Sequence, residues 1–192
     1  MTSTATIRGA GFATILGGIG LFALGLDAIV DHNTSGSIWF AAAAAAISLL
    51  VFGVFGLERS GAAGGGRVAT VAFRVAGTLL FLFAAAHLML VFLPDAADAV
   101  LTPITISATL ALTLAGIAVL RSPASPGPLR WLPLLVGVWQ PAGVAVSISL
   151  GFWPPFPVIA GWGLCWAALG AAIVAVSGTR SAAIRPAATS GR

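Results

Sequence analysis

Between Arg74 and Asp95 the chain reads RVAGTLLFLFAAAHLMLVFLPD, an apolar run long enough to cross a bilayer, with His87 inside it. A helix needs about 20 apolar residues to span the hydrocarbon layer. Six runs of that kind occur, roughly 9–30, 38–57, 69–93, 100–120, 131–151 and 158–177. Backbone polar groups cannot face lipid unpaired, so spanning segments are helices or strands of a closed barrel. These runs are too long and too continuously apolar for barrel strands, which alternate over about ten residues. The expectation is an all-α, polytopic membrane protein, with six transmembrane helices arranged as three consecutive hairpins in one bundle.

Charge agrees with this. Only 7% of the residues are charged and 59% are hydrophobic, whereas soluble domains carry about 25% charged residues. The bundle is expected over 1–180, with 181–192 a disordered cytoplasmic tail. The first run is longer than a signal-peptide core and lacks a small-x-small cleavage site, so it reads as a retained helix. Cys165 is the single cysteine; one thiol makes neither an internal disulfide nor a CxxC site, and packing is its expected role. Heavy use of Ala, Gly and Arg without Lys has the look of GC-rich bacterial coding.

All nine basic residues are Arg. DHNTSGS (Asp31–Ser37), PDAADA (Pro94–Ala99) and FWPPFP (Phe152–Pro157) are read as the odd-numbered connections and contain none. ERSGAAGGGR (Glu58–Arg67) and RSPASPGPLR (Arg121–Arg130) carry two each, and Arg8, Arg180, Arg185 and Arg192 lie in the ends. Only Arg74 lies inside a run, near the same face, where it reads as a snorkelling anchor. The positive-inside rule then places both termini in the cytoplasm and the protein in the inner or plasma membrane. Trp39 and Phe40, Trp131, and Phe152, Trp153 and Phe156 would form interfacial belts. The Arg spacing and the paired openings RGAG (Arg8–Gly11) and RVAG (Arg74–Gly77) admit three parallel repeats, though even helix spacing alone explains the Arg pattern. The net charge of +4 is spread singly between apolar runs, so no nucleic-acid partner is expected.

At 100° per residue, Phe12, Ile15, Ile19, Phe22 and Leu26 form a bulky arc on the first helix that suits lipid. Ala13, Gly20, Ala23 and Asp27 form another, with Gly17 at its edge. Small residues allow helices to approach closely, so this arc is expected to face the bundle and turn Asp27 inward. The alternative is that Asp27 is shallow and merely interfacial. In length, helix number and inside termini the chain resembles the substrate-binding subunits of energy-coupling-factor vitamin importers. That resemblance implies a small-residue motif on the first helix for docking a partner, which Ala13, Gly17 and Gly20 would supply. No ligand residue of this chain is matched to that family.

The candidate ligand or proton site comprises Asp27, Asp31, His87 and Gln140. His87 stands roughly 10 Å inside the outer end of its helix, and an intramembrane ionisable group is a functional candidate by default. Its alternative is a neutral packing contact between helices. Asp27 and His87 sit at similar depth, and pairing would lower the burial cost of each. Trp139-Gln140-Pro141 marks a kink that can line a cavity. Trp139, Trp162 and Trp166 are candidate pocket walls, or simply bulky packing. His32 and His87 lie at different depths, so haem is not expected; nor is any metal or other cofactor. No nucleophile elbow, P-loop or zinc motif is present, and the protein is not expected to be an enzyme. The leading expectation is binding or transport of a small solute from the outer face. The alternative is an accessory or assembly subunit that binds other membrane subunits or a second copy, for which the Ala41–Ala46 run speaks.

Overall fold

The computed structural model describes residues 4–31, 36–64, 66–125, 127–151 and 156–183. The described chain is helical throughout, with α1 (Thr4–Asp31), α2 (Ser37–Arg59), α3 (Arg67–Phe92), α4 (Pro94–Arg121), α5 (Leu132–Ser149) and α6 (Phe156–Ala183). Each contains a segment long and apolar enough to cross a membrane. Consecutive helices run in opposite directions, so Arg8, Arg59, Arg67, Arg121 and Arg130 gather at one end of the bundle. This is the arginine end below; Asp27 lies toward the opposite end.

The boundaries depart from expectation in several places. Pro94–Ala99 is not a loop: α4 begins at Pro94, and Leu93 alone separates it from α3. Proline suits a first helical turn, because its fixed φ is helical and its missing N–H would have no partner there. Between α4 and α5 a short 3-10 helix, Gly127–Arg130, folds back on the bundle. Its Leu129 is fully buried, and Ser125 Oγ donates to the Ala62 carbonyl at 2.9 Å, tying the two arginine-end connections together. The helix of α6 continues to Ala183, into the expected tail. His32, Trp153 and residues 184–192 lie outside the described residues, as does the side chain of Asp31.

Each helix packs on its chain neighbours, and α6 closes the ring on α1. The α1–α6 interface is the most extensive and α5–α6 the least of these, so the three hairpins are unequal. Glycines explain the difference. Gly11, Gly18 and Gly25 recur every seven residues and hold one face of α1 to within about 20° per repeat. They meet Ala160, Gly163, Ala167 and Gly170 of α6; a Cβ at Gly18 would lie 2.5 Å from the Ala167 nitrogen and 2.6 Å from the Gly163 carbonyl oxygen. In lipid, such backbone approach supplies the van der Waals contact that hydrophobic exclusion supplies in water. Gly17, Gly53 and Gly56 serve the α1–α2 contact in the same way.

The expected small arc on α1 is therefore rotated from the tightest interface. Gly17 packs against α2, and a Cβ added at Gly20 would meet only the Ala46 methyl, at 3.2 Å. Ala23 and Asp27 are exposed, which in a spanning segment means uncovered by protein. Phe12, Ile19 and Leu26 are exposed as the bulky arc required, whereas Phe22 is half-buried and Ile15 is half-buried against Gly170. The centre of the ring is filled by Ile47, Leu50, Leu80, Trp166 and Ile173 among others. Arg74 is more than an anchor: its Nε donates to Glu58 Oε1 at 3.1 Å, an ion pair between α2 and α3. A guanidinium two turns into a spanning helix is costly, and pairing offsets part of that cost.

Candidate functional site

The expected polar residues do not converge. His87 is buried on α3, which packs on α2 and α4 and makes no contact with α1. Its Nδ1 lies 2.9 Å from the Phe83 carbonyl of its own helix. A carbonyl only accepts, so Nδ1 carries the hydrogen of that bond. The ring also meets Phe83 edge-on, with centroids 4.5 Å apart. Asp27 instead lines a shallow groove between the ends of α1 and α2, with Leu24, Ile38 and Trp39. The proposed Asp27–His87 pair is thus absent, because matching depth on two helices says nothing of which helices are neighbours. Among the described residues, no three His, Cys, Asp or Glu side chains gather as metal ligands.

Trp139 and Trp162 clasp α5 to α6. Trp139 Nε1 on α5 donates to the Val158 carbonyl of α6 at 3.0 Å, and its ring lies over Gly161. Trp162 Nε1 on α6 donates back to the Val136 carbonyl of α5 at 2.9 Å. These reciprocal bonds join the pair of neighbours with the sparsest contact. Trp166 meets Trp162 edge-on at 5.8 Å and is fully buried, with no hydrogen-bond partner for its Nε1 among the described residues.

Gln140 stands eight residues from the start of α5 and nine from its end, near mid-span. It lines a crevice of about 430 Å³ between α4 and α5, with Thr102, Thr105, Thr109, Thr113, Pro141 and Val144. The threonines recur at intervals of three and four, so one face of α4 carries them all. Thr105 and Thr113 donate to carbonyls one turn back, Leu101 and Thr109, and so present mainly methyl groups. Thr109 Oγ1 donates instead to Gln140 Oε1 at 3.3 Å. The Gln140 amide nitrogen makes no hydrogen bond among the described residues. Pro141 lacks an N–H, so the Gly137 carbonyl loses its usual helical partner.

The crevice is open because of where the close packing stops. Gly116 against Leu134 and Gly137 against Thr113 bring α4 and α5 together toward the arginine end. Beyond Gly137 no glycine of α4 or α5 continues that approach, and the side chains of Thr109, Gln140 and Val144 hold the helices apart. The mouth therefore faces lipid in the half of the bundle away from the arginines. No protein-family model, curated protein or solved structure matches this chain. The resemblance to vitamin-importer binding subunits accordingly rests on length, helix number and the orientation expected from the sequence. What the crevice offers chemically is the amide of Gln140, the threonine side chains of α4 and an otherwise apolar lining. The threonine face escaped the sequence reading, although its spacing was visible there.

Proposed function

We propose that this protein is a non-catalytic, multi-pass protein of the plasma membrane that binds a small molecule in the crevice between α4 and α5, from the outer half of the bilayer. The observation that carries this reading is the Gln140 amide, near mid-span and only partly hydrogen-bonded among the described residues. A polar group in hydrocarbon seeks a partner, and intramembrane polar groups concentrate at functional sites. A volume of about 430 Å³ falls within the range of small-molecule sites, about 300–1,000 Å³. The filled centre of the bundle argues against a solute path along its axis. Protein purified with native lipids should retain a small molecule detectable by mass spectrometry, and Gln140→Leu should lose it while keeping its thermal stability. Equal retention by Gln140→Leu would reject the crevice as the site.

Accessory-subunit function is the second reading. Leu135, Val138, Ala142, Ala145 and Ser149 form an exposed stripe along α5, spaced for contact with another helix. Co-purification of a stoichiometric partner lost in Ala142→Trp, with no retained small molecule, would favour it.

The arginine end is placed in the cytoplasm by the positive-inside rule. In a Cys165→Ala background, Ser37→Cys and Ala124→Cys put thiols at exposed positions of the two ends. A membrane-impermeant maleimide added to intact cells should label position 37 and spare position 124. The opposite pattern would invert the orientation.

A further inference from the structure

A second groove, of about 710 Å³, runs between α3 and α4 at the arginine end. Arg67, the first residue of α3, and Arg121, the last of α4, both line it. Below them the wall is apolar and uncovered: Val68, Val71, Val75 and Leu114 are 82%, 60%, 45% and 61% exposed. We propose that this groove holds one anionic phospholipid, its phosphate between Arg67 and Arg121 and an acyl chain along the valines and Leu114.

The distribution of charge makes these two arginines different from Arg8, Arg59, Arg74 and Arg130. The chain has five acidic residues, and Asp27, Asp31, Asp95 and Asp98 all fall toward the opposite end. Glu58 is the fifth, and Arg74 engages it. Arg8 lies over the Phe12 ring at 5.7 Å, and Arg130 donates to the Leu120 carbonyl. Arg59 lines the groove between α1 and α2 as its one charged residue. Arg67 and Arg121 therefore share a groove, and neither has an acidic partner among the described residues. Guanidinium groups suit phosphate because their N–H donors match its oxygens in pairs. Basic pockets between spanning helices select anionic headgroups for the same reason. A free anion would occupy only the mouth, whereas a phospholipid also covers the apolar wall.

Native mass spectrometry of the detergent-purified protein, titrated with dioleoyl phosphatidylglycerol or dioleoyl phosphatidylcholine, tests this. One phosphatidylglycerol should bind saturably, in preference to phosphatidylcholine. R67Q/R121Q should bind it about thirtyfold more weakly, at about 1 kcal/mol per arginine near the surface. R8Q/R59Q removes the same formal charge and should bind like the unaltered protein. Should R67Q/R121Q unfold, the single variants carry the test: about fivefold weaker binding for R121Q and near-normal binding for R121K. Equal weakening in both double variants would reduce the effect to general surface charge and overturn the site. Equal retention of phosphatidylcholine would leave only an apolar groove. Displacement of the lipid by inorganic phosphate at equal concentration would leave only an anion site.

Discussion

Gly18→Leu is expected to separate α1 from α6 and to cost more stability than a change at a glycine of α1 that meets nothing, such as Gly9. Even Gly18→Ala should cost about 1–3 kcal/mol, the usual range for overpacking. The added Cβ meets backbone atoms of Ala167 and Gly163 at 2.5 and 2.6 Å. Backbone cannot rotate away as a side chain can, so the helices must move apart and the contacts on either side loosen with them. The better helix propensity of alanine, about 1 kcal/mol over glycine, does not outweigh this. Gly9→Ala is the control: a Cβ there meets nothing within 4 Å, so stability should hold or rise slightly. Unfolding in sodium dodecyl sulfate, followed by tryptophan fluorescence, would rank the variants. Identical midpoints for Gly18→Ala and Gly9→Ala would mean that α1 and α6 do not meet along this seam.

Trp166→Ala should be nearly as damaging, at about 3–5 kcal/mol for a large aromatic removed from a filled core. The phenylalanine variants are more informative. Trp162→Phe loses ring volume and the bond to the Val136 carbonyl, worth about 1 kcal/mol. Trp166→Phe loses similar volume but also removes a buried N–H with no partner among the described residues, which offsets part of the loss. Trp162→Phe is therefore expected to be the less stable of the two. The reverse order would show that the Trp166 indole makes a hydrogen bond. Neither phenylalanine variant should alter small-molecule retention, because neither tryptophan lines the α4–α5 crevice. Loss of retention in Trp162→Phe would restore that residue to the site.

Six spans were readable in the sequence because lipid imposes one demand on every segment: an unbroken apolar length with its backbone paired internally. That demand acts along the chain, residue by residue, and needs no knowledge of neighbours. The placement of Arg74 toward the arginine end was readable for similar reasons. Helix adjacency was not. Asp27 and His87 were matched by depth, yet α1 and α3 do not touch; Gln140 found Thr109, a residue with no signal of its own among the many of α4. Glu58 lies sixteen positions before Arg74, and only the α2–α3 packing makes them partners.

The rotation of α1 shows the division most clearly. Its composition offered two sets of small residues, the arc of Ala13, Gly20 and Ala23 and the seven-residue series of Gly11, Gly18 and Gly25. Both allow close approach, and periodicity alone does not rank them. The complementary row on α6, Ala160, Gly163, Ala167 and Gly170, decides the matter, since the tightest contact needs small residues on both helices at once. That six helices are long and apolar enough to cross the bilayer, and that Arg8, Arg59, Arg67, Arg121 and Arg130 gather at one end, follows from the order of residues alone. Which faces meet, and so which polar groups are left lining a crevice, is a property of pairs of helices and emerges only from their packing.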